Sequence, residues 1–338
     1  MKKKHIGFLA VAVCLAFAAC SAAHGQLPAD YPTEAPTVQA IQTLSFNWEN
    51  VDKYPLTTSL ALLPTRNQIA AGGDDCQLSV WNIEDGSLLK HFKVDDDWIR
   101  SVAVSPDGAT LVTMGHNGSI KTWNTSDWSA KTTFSKIAIG AECIVFSPDG
   151  QTLACCGFET PVVIFDAATG RQKTTLTMPG TGNTSIVFSP DGKYLAAAGR
   201  NGIVRVWEVS ASYRQVHDLR TDGRRILGLA FSMDGSLLAA GGVGPNIFVW
   251  NTATGQKKQT FSAVVGKTFS LCFCGNDILA SGDSLNNIRL WNLGDGKEIG
   301  RCIGHTGTVA TMYFDIEKGN LISGGFDTTV RFWPFAQR

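Results

Sequence analysis

Apolar and polar residues alternate in short bursts along most of this chain, and the bursts are cut by turn residues at regular intervals. Ile99 to Val104 alternates, Ser105-Pro106-Asp107-Gly108 interrupts, and Thr110 to Met114 is strand-like again. Proline fixes φ early in the tetrapeptide and glycine takes a positive φ at its end, so it predicts a tight hairpin turn. His116-Asn117-Gly118 makes the next turn, Ser119 to Trp123 is a third strand of β-branched and aromatic residues, and Lys131 to Phe134 supplies a fourth. Four short strands in one such stretch leave no room for a helix.

The stretch repeats. An aromatic residue closes the third strand at Trp81, Trp123, Phe165, Trp207, Trp250, Trp291 and Trp333, with spacings of 42, 42, 42, 43, 41 and 42. The turn repeats in step, as Ser105-Pro106-Asp107-Gly108, Ser147-Pro148-Asp149-Gly150, Ser189-Pro190-Asp191-Gly192 and Ser232-Met233-Asp234-Gly235. Two independent rulers agree on seven copies of one unit. A period of about 40 to 45 residues with several short strands is the signature of a β-propeller, one four-stranded antiparallel blade per repeat. The expected fold is therefore all-β, with seven blades over residues 41–338.

The last unit is one strand short, since only Pro334 to Arg338 follows its tryptophan. The strand-like stretch Ile41 to Trp48 precedes the first complete unit. It is expected to supply the outer strand of the last blade and so close the ring.

The units resemble WD40 repeats from about Ile41 to Arg338. The best copy is the seventh, where Gly304-His305 precedes a strand, Ser323-Gly324 ends the next, Asp327 lies in the following turn and Trp333 closes the third. The resemblance implies a buried hydrogen-bonded quartet of His305, Ser323, Asp327 and Trp333, in which an indole N–H finds an acceptor and a carboxylate fixes one imidazole tautomer. Other units depart from the pattern. The position matching Asp327 is Asp75, Asn117, Glu159, Asn201, Gly244 and Leu285 in units one to six, so packing is expected to hold most blades. In the third unit Cys155 stands where Ser323 stands and Phe165 replaces the tryptophan, which removes donor and acceptor together.

The N-terminus reads as an export signal over residues 1–25. Met1-Lys2-Lys3-Lys4 precedes an apolar run from Ile6 to Ala19 that is too short for a typical membrane-spanning helix. Phe17-Ala18-Ala19-Cys20 resembles a bacterial lipoprotein processing site with Cys20 as the lipidated residue, although Phe17 departs from the usual Leu, Val or Ile. Ala23-His24-Gly25 before Gln26 fits ordinary cleavage instead. Both readings place the protein in the cell envelope or periplasm, or outside the cell, and touch a membrane only through a lipid anchor. Residues 26–40, with Pro28, Pro32 and Pro36, read as a linker.

Charge and cysteine content narrow the chemistry. The chain balances 29 basic against 29 acidic residues, and loss of Lys2, Lys3 and Lys4 leaves 26 against 29. A net of −3 argues against nucleic acid as a partner. Seven cysteines fall in the propeller, an odd number without a Cys-x-x-Cys pair, and they read as buried structural thiols. No metal or cofactor is expected. Asp95-Asp96-Asp97 reads as a solvated acidic loop, since it lacks cation-loop spacing.

Aligning the first strands places Leu56, Trp98, Gly140, Gly182, Arg225, Lys267 and Thr308 just before each strand. Thr58, Arg100, Glu142, Thr184, Leu227, Phe269 and Ala310 lie two residues further in. In proteins similar to this one those positions ring the channel mouth on the face commonly used for partners. Trp98, Arg100, Arg225, Lys267 and Phe269 are the expected anchors, because aromatics and arginines carry much of the energy of interfaces. The expected function is a non-enzymatic exported scaffold that binds a protein or peptide on one face. A small-molecule or glycan sensor in the envelope is the alternative, and a propeller hydrolase or lactonase a further one. His305 reads as a quartet member, since a catalytic triad also needs an exposed nucleophile and oxyanion donors.

Overall fold

The computed structural model describes residues 36–45, 57–63, 66–210, 212–262 and 266–335. Seven antiparallel sheets follow one another in chain order, with no helix longer than a single turn among these residues. The innermost strand of each blade neighbours the innermost strands of the blades before and after it, and the contact between Val309–Asp315 and Thr57–Leu63 closes the circle.

The core lies between blades, in layers. Trp123 packs with Leu78, Val80 and Val102 between the first two blades, and Leu60, Ile69 and Trp81 meet Ile322 and Phe332 between the first and last. Burial of side chains of this size stabilises by about 1.5–3 kcal/mol each. Each blade is graded from the axis outward. In the second blade the innermost strand Ile99–Val104 is buried along its whole length, whereas the outer strand Ala130–Thr133 is almost wholly exposed.

The turn expected from Ser-Pro-Asp-Gly forms in all four places. Gly108, Gly150, Gly192 and Gly235 have φ of +70°, +71°, +73° and +73°. The Asp107 carboxylate accepts from the Ala109 amide, and the Ser105 hydroxyl accepts from the Thr110 amide, so the turn satisfies its own backbone.

The ring closes through the N-terminal segment. Gln42–Ser45 pairs antiparallel with the last strand, Gln42 opposite Phe332 and Leu44 opposite Val330. Leu44 is buried between the last and first blades, and Gln42 Nε2 donates to the carbonyl of Ile83 at 3.0 Å, so the clasp also grips the first blade. Thr37–Val38, within the stretch read as linker, adds a short parallel strand to the sixth blade opposite Arg301 and Cys302. The outer edge of that blade still has unused backbone groups, and Pro36 O accepts from Arg301 N at 2.9 Å.

One irregularity recurs in every blade and shapes the channel mouth. The innermost strand slips register at its second residue, so that Thr58, Arg100, Glu142, Thr184, Leu227, Phe269 and Ala310 are each bulged out of the ladder. A bulge re-aims one side chain without ending the strand. These are the seven positions that the repeat alignment marks as ringing the channel.

Candidate functional site

Around the mouth the backbone is stitched from blade to blade. Trp98 O accepts from His116 N, His116 O from Gly140 N, Gly140 O from Phe158 N, Phe158 O from Gly182 N, and Gly182 O from Arg200 N, all between 2.7 and 3.1 Å. Each link joins the residue before an innermost strand to the residue that follows a second strand. The approach is so close that a Cβ on Gly242 would lie 2.0 Å from the carbonyl oxygen of Arg225. Glycine at such strand ends lets the mouth residues sit side by side.

On this frame the bulge residues diverge in chemistry. Thr58 donates to the carbonyl of Gly72 at 2.8 Å and also to that of Ile99, while Thr184 bonds the carbonyls of Ala198 and Ile226. Arg100 and Glu142, neighbours on the second and third blades, form an ion pair through Nη2 and Oε2. Arg100 is only 2 % exposed and Glu142 fully buried. Expected as a partner anchor, Arg100 is therefore inside the channel wall and occupied with Glu142. The bulge turns its guanidinium inward, where an unpaired carboxylate would be costly.

Glu142 is incompletely satisfied. Its Oε1 is shielded from solvent and accepts no hydrogen bond among the described residues. Burial pushes its pKa up to about 7, against the opposing pull of Arg100, Arg225 and Arg200.

Arg225 and Arg200 complete this half of the mouth. Both guanidiniums lie against the ring of Phe158, with Cζ 5.1 Å and 4.4 Å from its centroid. Arg225 is half-buried and Arg200 exposed. Burial, and the charges of Arg200 and Arg100, pull the Arg225 pKa down while Glu142 holds it up. Gly182 makes room for this arrangement, because a Cβ there would come within 2.6 Å of Arg200 Cδ.

The remaining expected anchors lie on other blades. Trp98 is 43 % exposed before the second blade. Lys267 and Phe269 are half-buried on the sixth, and Phe269 meets Phe326 edge-on with ring centroids 6.4 Å apart. The mouth thus has a cationic half at Arg100, Glu142, Phe158, Arg200 and Arg225, and an aromatic half at Phe269 and Phe326. Phe158, Arg200 and Phe326 are not singled out by aligning first strands. The signal that finds them is the glycine ending the second strand, at Gly157, Gly199 and Gly325, followed in each case by the mouth residue.

The seventh-blade quartet is a separate, closed arrangement. Trp333 Nε1 donates to Ser323 Oγ at 2.8 Å, and Ser323 Oγ lies 2.7 Å from His305 Nε2. With the indole as donor, the serine hydroxyl donates to Nε2, which places the imidazole proton on Nδ1, 2.9 Å from Asp327 Oδ2. Asp327 also accepts from the amides of Thr306 and Thr329 and from the Thr329 hydroxyl. Burial pushes its carboxyl up, but the bond and charge of His305 with these donors outweigh it and hold the carboxyl well below the usual carboxylate range.

Shortened forms of this chain survive elsewhere. Trp123 donates to Thr113 at 3.0 Å and Trp291 to Ser281 at 2.8 Å. In the second blade the acid has moved: Asp95, four residues before its strand as His305 is, accepts from Ser119 and from Asn117, the residue matching Asp327. Asp95 is thus buried within the blade, a correction to its reading as part of a solvated loop. Asp96 beside it is exposed and pairs with Lys93.

The seven propeller cysteines form no disulfide among the described residues, and five of them are buried. Burial pushes Cys302 up to about 12 and raises Cys155 and Cys156 further, which holds them as inert thiols. Among the described residues no group of three or more His, Cys, Asp or Glu is arranged to hold a metal ion. Cys20 and Leu56 lie outside the described residues.

Comparison with known proteins agrees with this architecture. The family model described as WD domain, G-beta repeat matches residues 52–82, 86–124, 172–208, 213–251 and 296–334, more than half of the chain. Residues 125–171, with Cys155 and Phe165 in place of serine and tryptophan, and residues 252–295, which keep Ser281 and Trp291, lie outside the matches. The chain is also similar to Mitochondrial division protein 1 of Mycosarcoma maydis, 38% identical over 59 residues, a stretch that covers 18% of this chain and 7% of that protein. The repeats, the blades and the seventh-blade quartet together place this chain in the WD40 repeat family.

Proposed function

We propose that this protein is a non-enzymatic, exported scaffold that binds a protein or peptide partner over the channel-mouth face. The observation that carries the reading is the convergence of Trp98, Phe158, Phe269, Arg200, Arg225 and Lys267 from five blades on one rim, none of them fully buried. Aromatic and arginine side chains on a rigid frame are what interface hot spots are made of. Export rests on the basic and apolar leader, with Cys20 as the proposed lipidated residue, and a Cys20→Ser variant should then appear as soluble or unprocessed protein. A mature N-terminus at Gln26 would assign ordinary secretion instead.

The imidazole that most resembles a general base supports the non-enzymatic reading. Both nitrogens of His305 are engaged by Asp327 and Ser323, in a quartet that holds the blade.

Affinity capture from envelope extract tests the face. Trp98→Ala should weaken recovery of the captured protein by about 2 kcal/mol, the scale of a hot-spot truncation. Lys267→Ala should mainly slow association and reduce its salt dependence. Undiminished recovery with Trp98→Ala, Arg225→Ala and Lys267→Ala combined, in a protein shown to be folded, would move the site to the opposite face or the outer rim.

A further inference from the structure

We infer that the cationic half of the mouth is a carboxylate-recognition site, at which an acidic side chain of the partner docks on Arg225 and Arg200. This rests on the proposed role of the face and specifies its chemistry.

The first ground is charge. Arg100, Arg200 and Arg225 gather around the single carboxylate of Glu142, three positive charges against one, so the cluster carries a net charge of +2 when Glu142 is ionised. Glu142 is committed to Arg100, and neither Arg200 nor Arg225 pairs with a carboxylate among the described residues. Two guanidiniums on one phenyl ring repel each other, and an anion between them relieves that repulsion.

The second ground is the geometry of the unused donors. Nε and Nη2 of Arg225 have no acceptor among the described residues. These two atoms form one edge of the guanidinium, the edge that meets both oxygens of a carboxylate. The same protein shows the fork in use on the fourth blade, where Arg205 Nε and Nη2 hold Asp218 Oδ1 and Oδ2 at 2.7 and 2.6 Å. At Arg225 the fork is made but no carboxylate meets it among the described residues. That edge is shielded from solvent, and Arg200, exposed over the same ring, is the side chain free to move and admit a ligand.

The third ground is pre-organisation. Phe158 lies against both guanidiniums, Gly182 leaves room for the Arg200 stem, and the stitched backbone holds the rim, so the ordering left for the moment of binding is confined to the Arg200 side chain.

Fluorescence anisotropy with three labelled peptides tests the assignment. The peptides share a Gly-Ser backbone with four spaced glutamates, the same positions as glutamine, or the same positions as phosphoserine. The glutamate peptide should bind, the glutamine peptide should not, and Arg225→Gln and Arg200→Gln should each weaken binding about tenfold, the equivalent of one charge-assisted hydrogen bond. Arg200 is exposed, so its variant keeps the test valid if Arg225→Gln fails to fold. Equal binding of the glutamate and glutamine peptides, no binding of either, or unchanged affinity in both arginine variants would overturn the inference. Binding of the phosphoserine peptide alone would overturn the carboxylate assignment. Partner capture that is lost with Trp98→Ala yet intact with Arg200→Gln and Arg225→Gln would leave the scaffold reading standing and remove this one.

Discussion

Two buried carboxylates in this propeller meet opposite fates. Asp327, in the last blade, accepts from an imidazole, two amides and a hydroxyl, and is held well below the usual carboxylate range. Glu142, in the channel wall, accepts from Arg100 at one oxygen, has no described donor at the other, and is pushed up to about 7. Burial acts on both in the same direction; the supply of donors decides the outcome. A fully supplied carboxylate belongs to the fabric of the blade. The under-supplied one stands beside Arg200 and Arg225, which pair with no carboxylate among the described residues, and on that imbalance rests the proposal that the mouth, and not the quartet, takes a ligand.

The largest effect on this contrast should come from removing the clasp. Deletion through Asn50 takes away Gln42–Ser45, uncovers the edge of Thr329–Phe332 and exposes the surface that Leu44 covers. Loss of Leu44 burial alone is worth about 1.5–3 kcal/mol, and the open edge invites aggregation. Deletion only through Ala40 removes the two-residue pairing with the sixth blade and should lower the melting temperature much less. Equal melting temperatures for the two truncations would mean that the last blade, quartet included, holds without its fourth strand.

His305→Ala breaks the contrast from the other side. It leaves Asp327 and Ser323 buried without their shared partner, at a cost of about 1–3 kcal/mol in urea unfolding. Wild-type stability together with loss of a chemical activity would instead make His305 a catalytic base.

What the sequence discloses follows the same division. The seven blades, the Ser-Pro-Asp-Gly turns and the clasp are legible because each is written in the period: tryptophan spacing counts blades, and a missing last strand points to the N-terminal stretch. The ring of bulged positions is legible too, since alignment of first strands finds all seven. Depth is not legible. Alignment places Arg100 at the mouth but cannot show that the bulge turns it toward Glu142, a partner 42 residues away. Asp95 reads as loop because its partners, Ser119 and Asn117, come from the next turn of the same blade. Thr37–Val38 is too short and too close to proline to announce itself as a strand.

The smallest expected effect is also the most direct reading of the contrast, through pH. Glu142 has its folded pKa raised from 4.5 to about 7, so its contribution to stability is fully present below the unfolded value and is lost as pH rises through about 7. Asp327 has its folded pKa depressed below 3.8, so its contribution is present above that value and is lost as pH falls through the folded one. Urea midpoints measured across the acid and neutral ranges should therefore separate the two. Glu142→Gln should flatten the decline toward neutral pH, by on the order of 1 kcal/mol, and leave the acid limb as it is. Asp327→Asn should shrink the acid limb and leave the neutral decline. Asp283, buried in the sixth blade and pushed up to about 6, acts in the same direction as Glu142, so Asp283→Asn isolates its share. If Glu142→Gln keeps the wild-type slope up to mildly alkaline pH, Glu142 is as well supplied with donors as Asp327, and the proposed affinity of the mouth for an acidic group loses the imbalance that supports it.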